Sequence, residues 1–150
     1  MKHSEKAIEL FTSGYNCAQS VICAYADDIG IDHETAKRLS SSFGGGMGKL
    51  RQACGAFTGA IMVAGILFGG YDVNDNQKKS EHYALVRRIA DEFVKLHGTI
   101  TCEDLLQGIA NAKGKDPAER TPEYYAVRPC ARFVGDACEI IDRIIEEKNK

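Results

Sequence analysis

The sequence has few of the residues that interrupt helices and little of the pattern that forms strands. Only three prolines occur in 150 residues, and regular alternation of apolar and polar residues is almost absent. Apolar residues recur instead at intervals of three and four positions, which places them on one face of a helix. We therefore predict an all-α, compact multi-helix fold, and the length suits a single helical domain over residues 1–150.

The usual signals of three functional classes are also missing. The net charge is −2, and there is neither a basic patch nor an RNA-binding aromatic motif, so we expect no nucleic-acid partner. The N-terminus has no apolar core followed by a small-residue cleavage site, so we expect no secretory signal and a cytoplasmic location. Residues 53–70 carry no charge, but glycine and alanine dilute this stretch and no aromatic belt flanks it, so we expect no membrane insertion.

Cysteine is too scarce for a disulfide-rich scaffold. The six cysteines occupy positions 17, 23, 54, 102, 130 and 138, well below the roughly 8–10% of residues that marks such scaffolds. No two of them form a Cys-x-x-Cys pair, which excludes a zinc ribbon or a thioredoxin-like motif at the level of local sequence. In a reducing compartment such residues stay thiols unless they are catalytic, sense redox state or bind a metal.

Periodicity and capping residues predict where the helices begin and end. The predicted helices are residues 17–29, ending at Gly30; a short helix capped by Asp32 and reaching about Ser41; residues 50–68; residues 76–97, ending at Gly98; Cys102 to Ala110; and a last helix opened by Pro129. The stretch DPAERTPEYY, residues 116–125, contains two cap-then-proline signals and predicts one or two helical turns.

The helix predicted over about residues 50–68 is built mainly from small residues. Gly55 and Gly59, and then Ala60 and Ala64, are four positions apart, so each pair lies on one helix face. Small residues at this spacing let neighbouring helices approach closely. We therefore expect this helix at the centre of the domain, with the others packed around it.

Four cysteines lie at or close to predicted helix N-termini. Cys17 follows Asn16, Cys102 follows Thr101, Cys130 follows Pro129, and Cys54 comes in the early turns after a glycine run. The unpaired N–H groups and partial positive charge of a helix N-terminus favour a thiolate. We expect the four to cluster, and we expect Cys54, near Lys49 and Arg51, to be accessible and to have a lowered pKa.

The glycine run itself, with Gly44, Gly45, Gly46 and Gly48, is a candidate binding loop. It does not match a phosphate-binding loop, because Leu50 stands where serine or threonine is required. Two interpretations remain open. Backbone N–H groups of the run approach a thiolate, a metal site or a small anion, or the glycines only form a turn.

The remaining cysteines and one histidine carry weaker signals. Cys23 and Cys138 fall inside predicted helices, where a free cysteine usually acts as a small packing residue. His97 lies at a helix end, five residues before Cys102, and is a candidate metal ligand or base, although the spacing matches no standard zinc signature. Arg51, Arg128 and Arg132 are close in sequence to Cys54 or Cys130.

The order Cys17, Cys54-Gly55-Ala56-Phe57-Thr58-Gly59, Cys102, Cys130 resembles the C_GCAxxG_C_C family of redox-active proteins over nearly the whole chain. The resemblance implies that the family's four cysteines correspond to Cys17, Cys54, Cys102 and Cys130, and that they take part in electron transfer. In the family's name a glycine precedes the second cysteine, whereas here Ala53 precedes Cys54 and the glycine follows. The resemblance fixes no substrate.

Three functional hypotheses remain open. In the first, two or more of the four cysteines cycle between thiols and a disulfide, as in a thiol-based oxidoreductase that acts with a redox partner protein; four cysteines allow three pairings. In the second, the same four thiolates ligate a metal ion or an iron–sulfur centre. In the third, the chain is a non-enzymatic helical interaction module with buried cysteines. The sequence determines neither a cofactor nor a substrate, and a homo-oligomer is compatible with it.

Overall fold

The computed structural model of the protein describes residues 1–109 and 114–150. Helices account for its regular secondary structure there, which confirms the all-α prediction, and the one β pairing in this part of the chain is an isolated bridge between Ala53 and Thr101. The helices are α1 (His3–Thr12), α2 (Cys17–Ile29), α3 (His33–Ser40), the single turn α4 (Gly44–Met47), α5 (Gly55–Phe68), α6 (Asn76–His97), α7 (Cys102–Leu105), α8 (Pro122–Val127) and α9 (Cys130–Lys148), with a 3-10 turn at Ser41–Phe43.

Local capping explains why α2, α3 and α6 agree closely with the predicted boundaries, and α9 begins directly after Pro129, as predicted. The Asn16 side chain accepts a hydrogen bond from the Gln19 backbone N–H, and the Gln19 side chain accepts one from the Asn16 N–H, which completes a capping box. Gly30 and Gly98 end α2 and α6 in the left-handed conformation. Each of these signals lies within a few residues of the boundary that it sets.

The central helix α5 begins at Gly55, five residues later than predicted. Arg51 has a φ of 60°, outside the helical region, and the next residues are extended. The Cys102 N–H donates to the Gln52 carbonyl oxygen at 2.6 Å, and the Cys54 N–H donates to that of Ile100 at 2.7 Å. These hydrogen bonds to a distant segment replace the helical ones, so the helix starts after them.

Two other predictions differ from the structure between α6 and α9. Helix α7 ends at Leu105, because Leu106 leaves the helical region and Gly108 follows with a φ of 79°; Ala110, the predicted end, lies outside the described residues. Of the two cap-then-proline signals, only the second begins a helix, with the Thr121 side chain capping α8. Thr101 precedes α7 without the side-chain cap that its sequence suggested.

Helix α5 packs against α2, α6 and α9, as its small residues predicted. A Cβ atom added at Gly59 would lie 2.9 Å from both the Ala18 carbonyl oxygen and the Val21 Cβ, so α2 and α5 are in backbone contact there. Ala60 and Ala64 are fully buried. Helix α2 is as central as α5, since it also contacts α1, α3 and α9.

Helix α1 is held to this core by a polar network. The His3 ring stacks on Tyr25 with 3.9 Å between ring centroids, and its Nδ1 lies 2.9 Å from an Asp142 carboxylate oxygen. The Tyr25 hydroxyl donates to the same carboxylate at 2.7 Å.

Among residues 1–109 and 114–150, no helix has both the length and the apolar character needed to cross a membrane.

Candidate functional site

The four cysteines at helix starts line one cavity of about 370 Å³. Cys17, Cys102 and Cys130 are the first residues of α2, α7 and α9, and Cys54 is the residue that caps α5. Gly44, Gly45, Gly46 and Gly48 line the same cavity. The structure therefore brings together all eight residues that the sequence singled out, although they come from four separate stretches of the chain.

Close backbone contact between α2 and α5 brings Cys17 near Cys54. A Cβ added at Gly55 would lie 3.0 Å from the Cys17 Cβ and 2.9 Å from the Ala18 backbone nitrogen. Any side chain at position 55 would therefore push apart the two helix starts that carry these thiols. This close contact explains why a glycine directly follows Cys54.

The bridge between Ala53 and Thr101 orients Cys54 and Cys102 relative to each other. Side chains alternate between the two faces of an extended chain, so Cys54 and Cys102, each one residue beyond a bridge residue, share the face opposite the bridge side chains. Both line the cavity. The same hydrogen bonds that delay the start of α5 thus orient two of the four cysteines.

The glycine run folds as a left-handed turn beside Cys102. Residues 45–49 all have positive φ, including Met47 at 70° and Lys49 at 63°, a region that costs about 1–2 kcal/mol for each non-glycine residue. The carbonyl oxygens of Gly45 and Gly46 accept hydrogen bonds from the N–H groups of Arg51 and Gln52. A Cβ at Gly46 would lie 2.8 Å from the Cys102 Cβ, so this loop packs directly on the start of α7.

The thiols of Cys17 and Cys130 interact with each other at the starts of α2 and α9, and each of the six cysteines is a free thiol. The hydrogen bond from Cys17 lowers the pKa of Cys130 to about 7, against the effect of burial and with help from Arg128 and Arg120. The same pairing raises the pKa of Cys17 well above its ordinary value. The pair therefore holds one proton on Cys17 and favours a thiolate at Cys130.

Two arginines and a tyrosine form the wall next to Cys130. The Tyr124 ring lies between the guanidinium groups of Arg120 and Arg128, whose central carbons are 4.8 and 4.6 Å from the ring centroid. Arg120 also donates hydrogen bonds to the carbonyl oxygens of Phe11 and Tyr15, both at 3.1 Å. Sequence reasoning missed Arg120, because these partners are more than 100 positions away and no local pattern marks it.

The arginines near the cysteines in sequence differ in what they contact. Arg51 is three residues from Cys54, but its Nη1 lies 3.3 Å from the sulfur of Cys102. Arg128 acts on Cys130, as its position suggested. Arg132 is exposed and does not line the cavity.

The expectation that Cys54 is accessible and has a lowered pKa is wrong. Its residue is only 4% exposed, and burial raises the pKa of its thiol to about 12. The effect of the helix start is present, since the N–H groups of Ala56 and Phe57 act to lower this pKa, but it is smaller than the effect of burial. The thiol of Cys130 has the lowered pKa instead.

The described residues do not offer a metal centre. Among them, no group of three or more histidine, cysteine, aspartate or glutamate side chains is placed to hold one metal ion. His97 lies 2.9 Å from an Asp136 carboxylate oxygen and packs on Phe93 and Phe133; it does not itself line the cavity.

Cys23 and Cys138 are buried in the core, as expected for packing residues. Neither lines the cavity. Burial raises the pKa of Cys23 to about 11, and it raises that of Cys138 as well. These two thiols serve as internal references for the reactivity of the four in the cavity.

One comparison with known proteins bears on this cavity. A family model described as "Putative redox-active protein (C_GCAxxG_C_C)" matches residues 15–144, a span that contains all four cavity cysteines. No curated protein and no solved structure gives a significant match. Because the family match covers all but the two ends of the chain, the protein belongs to the C_GCAxxG_C_C family, which is described as redox-active.

Proposed function

We propose that the protein carries out thiol–disulfide exchange, with Cys130 as the attacking thiolate and Cys17 as the thiol that completes an intramolecular disulfide. The observation that carries this proposal is that Cys17 and Cys130 begin two helices in contact with each other, α2 and α9, and that both line one cavity, where Cys17 lowers the pKa of Cys130. A thiol with a pKa near the ambient pH attacks disulfides best, since it combines a large thiolate fraction with good nucleophilicity. Arg128 beside Cys130 favours the same charge state.

The chemical steps balance with a disulfide as the oxidant. The Cys130 thiolate attacks one sulfur of the substrate disulfide, a mixed disulfide forms, and the other sulfur leaves as a thiolate. Cys17 then loses its proton to that leaving group and attacks the Cys130 sulfur, which releases the second half of the substrate as a thiolate that takes up a proton from water. The protein loses two electrons and the proton of Cys17, water supplies the second proton, and the substrate disulfide is reduced to two thiols.

Cys54 and Cys102 form a second pair in this proposal. They share one face beside the Ala53–Thr101 bridge, and Arg51 lies next to the sulfur of Cys102. Cys102 gives up its proton to water and attacks the Cys130 sulfur of the Cys17–Cys130 disulfide, and Cys17 leaves as a thiolate. Cys54 then gives its proton to Cys17 and attacks the Cys102 sulfur, which releases Cys130 as a thiolate. This exchange restores the thiols of the first pair and leaves a disulfide between Cys54 and Cys102. The new disulfide lies deeper in the protein, because Cys54 is more buried than Cys17.

The cycle also requires a reductant for the disulfide. We assign this role to a dithiol on a redox partner protein, which would attack the Cys17–Cys130 disulfide at Cys17, the most exposed of the four cysteines. A disulfide between Cys54 and Cys102 returns to Cys17–Cys130 by the reverse exchange before it is reduced. A reducing, cytoplasmic setting suits such a cycle, since it keeps partner dithiols reduced. Association of two copies of the chain is not needed for these steps.

The experiment is controlled oxidation followed by mapping of disulfides. Reduced protein is treated with one equivalent of a neutral disulfide and digested with trypsin without reduction. Because Cys17 and Cys23 lie in one tryptic stretch, residues 7–37, the Cys23→Ala variant is used to make the assignment unambiguous. We expect a Cys17–Cys130 disulfide that a dithiol reverses, and we expect Cys138 to stay reduced.

Two results would overturn the proposal. One is a protein whose cavity thiols remain reduced, or pair at random, while the fold is intact by circular dichroism. The other is stoichiometric metal or colour in protein purified without oxygen, with thiols that react only after chelation, which would favour the metal hypothesis. Unreactive thiols without metal would favour the non-enzymatic helical module.

A further inference from the structure

The cavity carries a strong positive charge that the chain as a whole does not have. Five of the residues that line it are cationic: Lys49, Arg51, Lys115, Arg120 and Arg128. Among the described residues, no aspartate, glutamate or histidine lines it. The whole chain has 19 lysines and arginines against 21 aspartates and glutamates. The cavity lining is therefore far more cationic than the chain as a whole.

Two of these cations donate hydrogen bonds to neutral acceptors. Arg120 donates to two backbone carbonyl oxygens, and the Lys49 ammonium donates to that of Asp116. Burial lowers the pKa of Lys49, and the charges of Arg51 and Arg128 lower it further, against the effect of Asp116. Lys49 is therefore close enough to both arginines for the positive charges to repel one another.

The size and remaining walls of the cavity restrict what it holds. Its volume of about 370 Å³ lies near the lower end of the roughly 300–1,000 Å³ that is usual for small-molecule sites. Phe11, Tyr124 and Phe133 add aromatic surface to the lining. A compact molecule with anionic groups and some apolar surface fits these walls.

We propose that the substrate of this cavity is a small anionic disulfide, one that carries carboxylate groups beside its sulfur atoms. This inference rests on the proposed thiol–disulfide exchange and adds the class of molecule on which Cys130 acts. The carboxylates lie against Lys49, Lys115 and the arginines, and the disulfide lies against Cys130. Two separate observations support it, the cationic lining and the thiol pair, and both belong to one cavity.

The reaction itself uses the same charges. As the Cys130 thiolate attacks, its negative charge spreads over the attacking, central and leaving sulfur atoms. The arginines beside Cys130 and Cys102 are already in place to stabilise that charge and the anionic thiol that leaves, and such preorganised charges lower a barrier efficiently. The electron and proton balance is that of the exchange described above, with the anionic disulfide as the oxidant.

The test compares disulfides of different charge on the reduced wild-type protein. The probes are dithiobis(nitrobenzoate), a dianion; dithiodipyridine, which is neutral and also aromatic; and cystamine, a dication. Each rate is divided by the rate of the same probe with mercaptoethanol, which removes intrinsic reactivity. We expect the normalised rate of the dianion to exceed that of the neutral probe by at least about tenfold at ~20 mM salt. Most of this difference in rate should disappear at ~500 mM salt.

A graded charge series identifies the cavity as the cause. Lys115 is exposed and lines the cavity, so Lys115→Gln and Lys115→Glu can be made with little risk to the fold. We expect the ratio of dianion to neutral rates to fall about threefold in Lys115→Gln and about tenfold in Lys115→Glu, both relative to the wild type. Lys78→Glu, on the exposed surface of α6, is the matched control and should leave the ratio as it is.

The outcomes separate this inference from the proposed function. If dithiodipyridine yields the Cys17–Cys130 disulfide but the dianion gains no salt-dependent advantage, the exchange reaction stands and the anionic substrate is wrong. If the Lys115 series leaves the ratio constant, the inference is also wrong. If no probe yields that disulfide, the proposed function fails, and this inference fails with it.

Discussion

Replacing Cys17 should raise the pKa of Cys130, and the structure indicates by how much. The pKa of Cys130 is about 7, two units below the ordinary value of 9.0, and the hydrogen bond from Cys17 is the largest cause. A hydrogen bond to a charged group contributes about 1.5–3 kcal/mol, but a thiol is a weak donor, so the lower end applies. At about 1.4 kcal/mol per unit, Cys17→Ala should raise the pKa of Cys130 by about one unit.

This magnitude determines which assay is informative. A rise from about 7 to about 8 lowers the thiolate fraction at pH 7 from about one half to about one tenth. The remaining thiolate becomes about threefold more nucleophilic, since nucleophilicity rises with pKa with a slope of about 0.4–0.5. The alkylation rate at pH 7 therefore falls only about twofold, so the midpoint of a pH profile is the better measure.

The assay is iodoacetamide labelling of the reduced protein across pH 5 to 9, with mass spectrometry of the peptide that contains Cys130. We expect a wild-type midpoint near 7 and a higher one in Cys17→Ala. Cys17→Ser keeps a hydrogen-bond donor, so its midpoint should stay closer to that of the wild type. Cys138→Ala removes a buried thiol of the same helix α9 and should not move it.

Two results would refute this reasoning. An unchanged midpoint in Cys17→Ala would show that the arginines, and not the thiol pair, set the charge state of Cys130. Labelling of Cys54 before Cys130 in the wild type would show that burial does not control the pKa of Cys54, which the structure places at about 12.

Two further predictions concern the fold and its dependence on pH. Gly59→Ala should lower the free energy of unfolding by at least about 1 kcal/mol, because the new methyl group would overlap α2, whereas Gly65→Ala in the same helix meets open space and should be neutral or stabilising in urea unfolding. Cys54 keeps its proton in the folded state, with a pKa of about 12, while the unfolded chain releases it near pH 9, so stability should fall as the pH rises above 9. That fall should be smaller in Cys54→Ala by up to about 1.4 kcal/mol per pH unit, and equal slopes for the two proteins would contradict the burial of this thiol.

The sequence was sufficient to predict most helix boundaries and the position of four cysteines at or near helix starts. Asn16, Gly30 and Gly98 set helix ends through hydrogen bonds and backbone angles within a few residues, so their effect is visible in a local pattern. The position of Cys17 and Cys130 at helix starts follows from the residues directly before them. The small residues of α5 likewise predicted a close helix contact, since only their spacing matters.

The start of α5 and the reactivity of each thiol were decided by the tertiary structure. Residues 51–54 could continue a helix, but they hydrogen-bond to residues 100–103, about 50 positions away. Cys54 has the local environment of a low-pKa thiol, yet burial by distant helices raises its pKa. Cys130 has the lowered pKa because Cys17, more than 100 positions earlier, donates a hydrogen bond to it. Capping acts over one helical turn and can be seen in sequence, whereas burial and charge depend on which distant residues become neighbours.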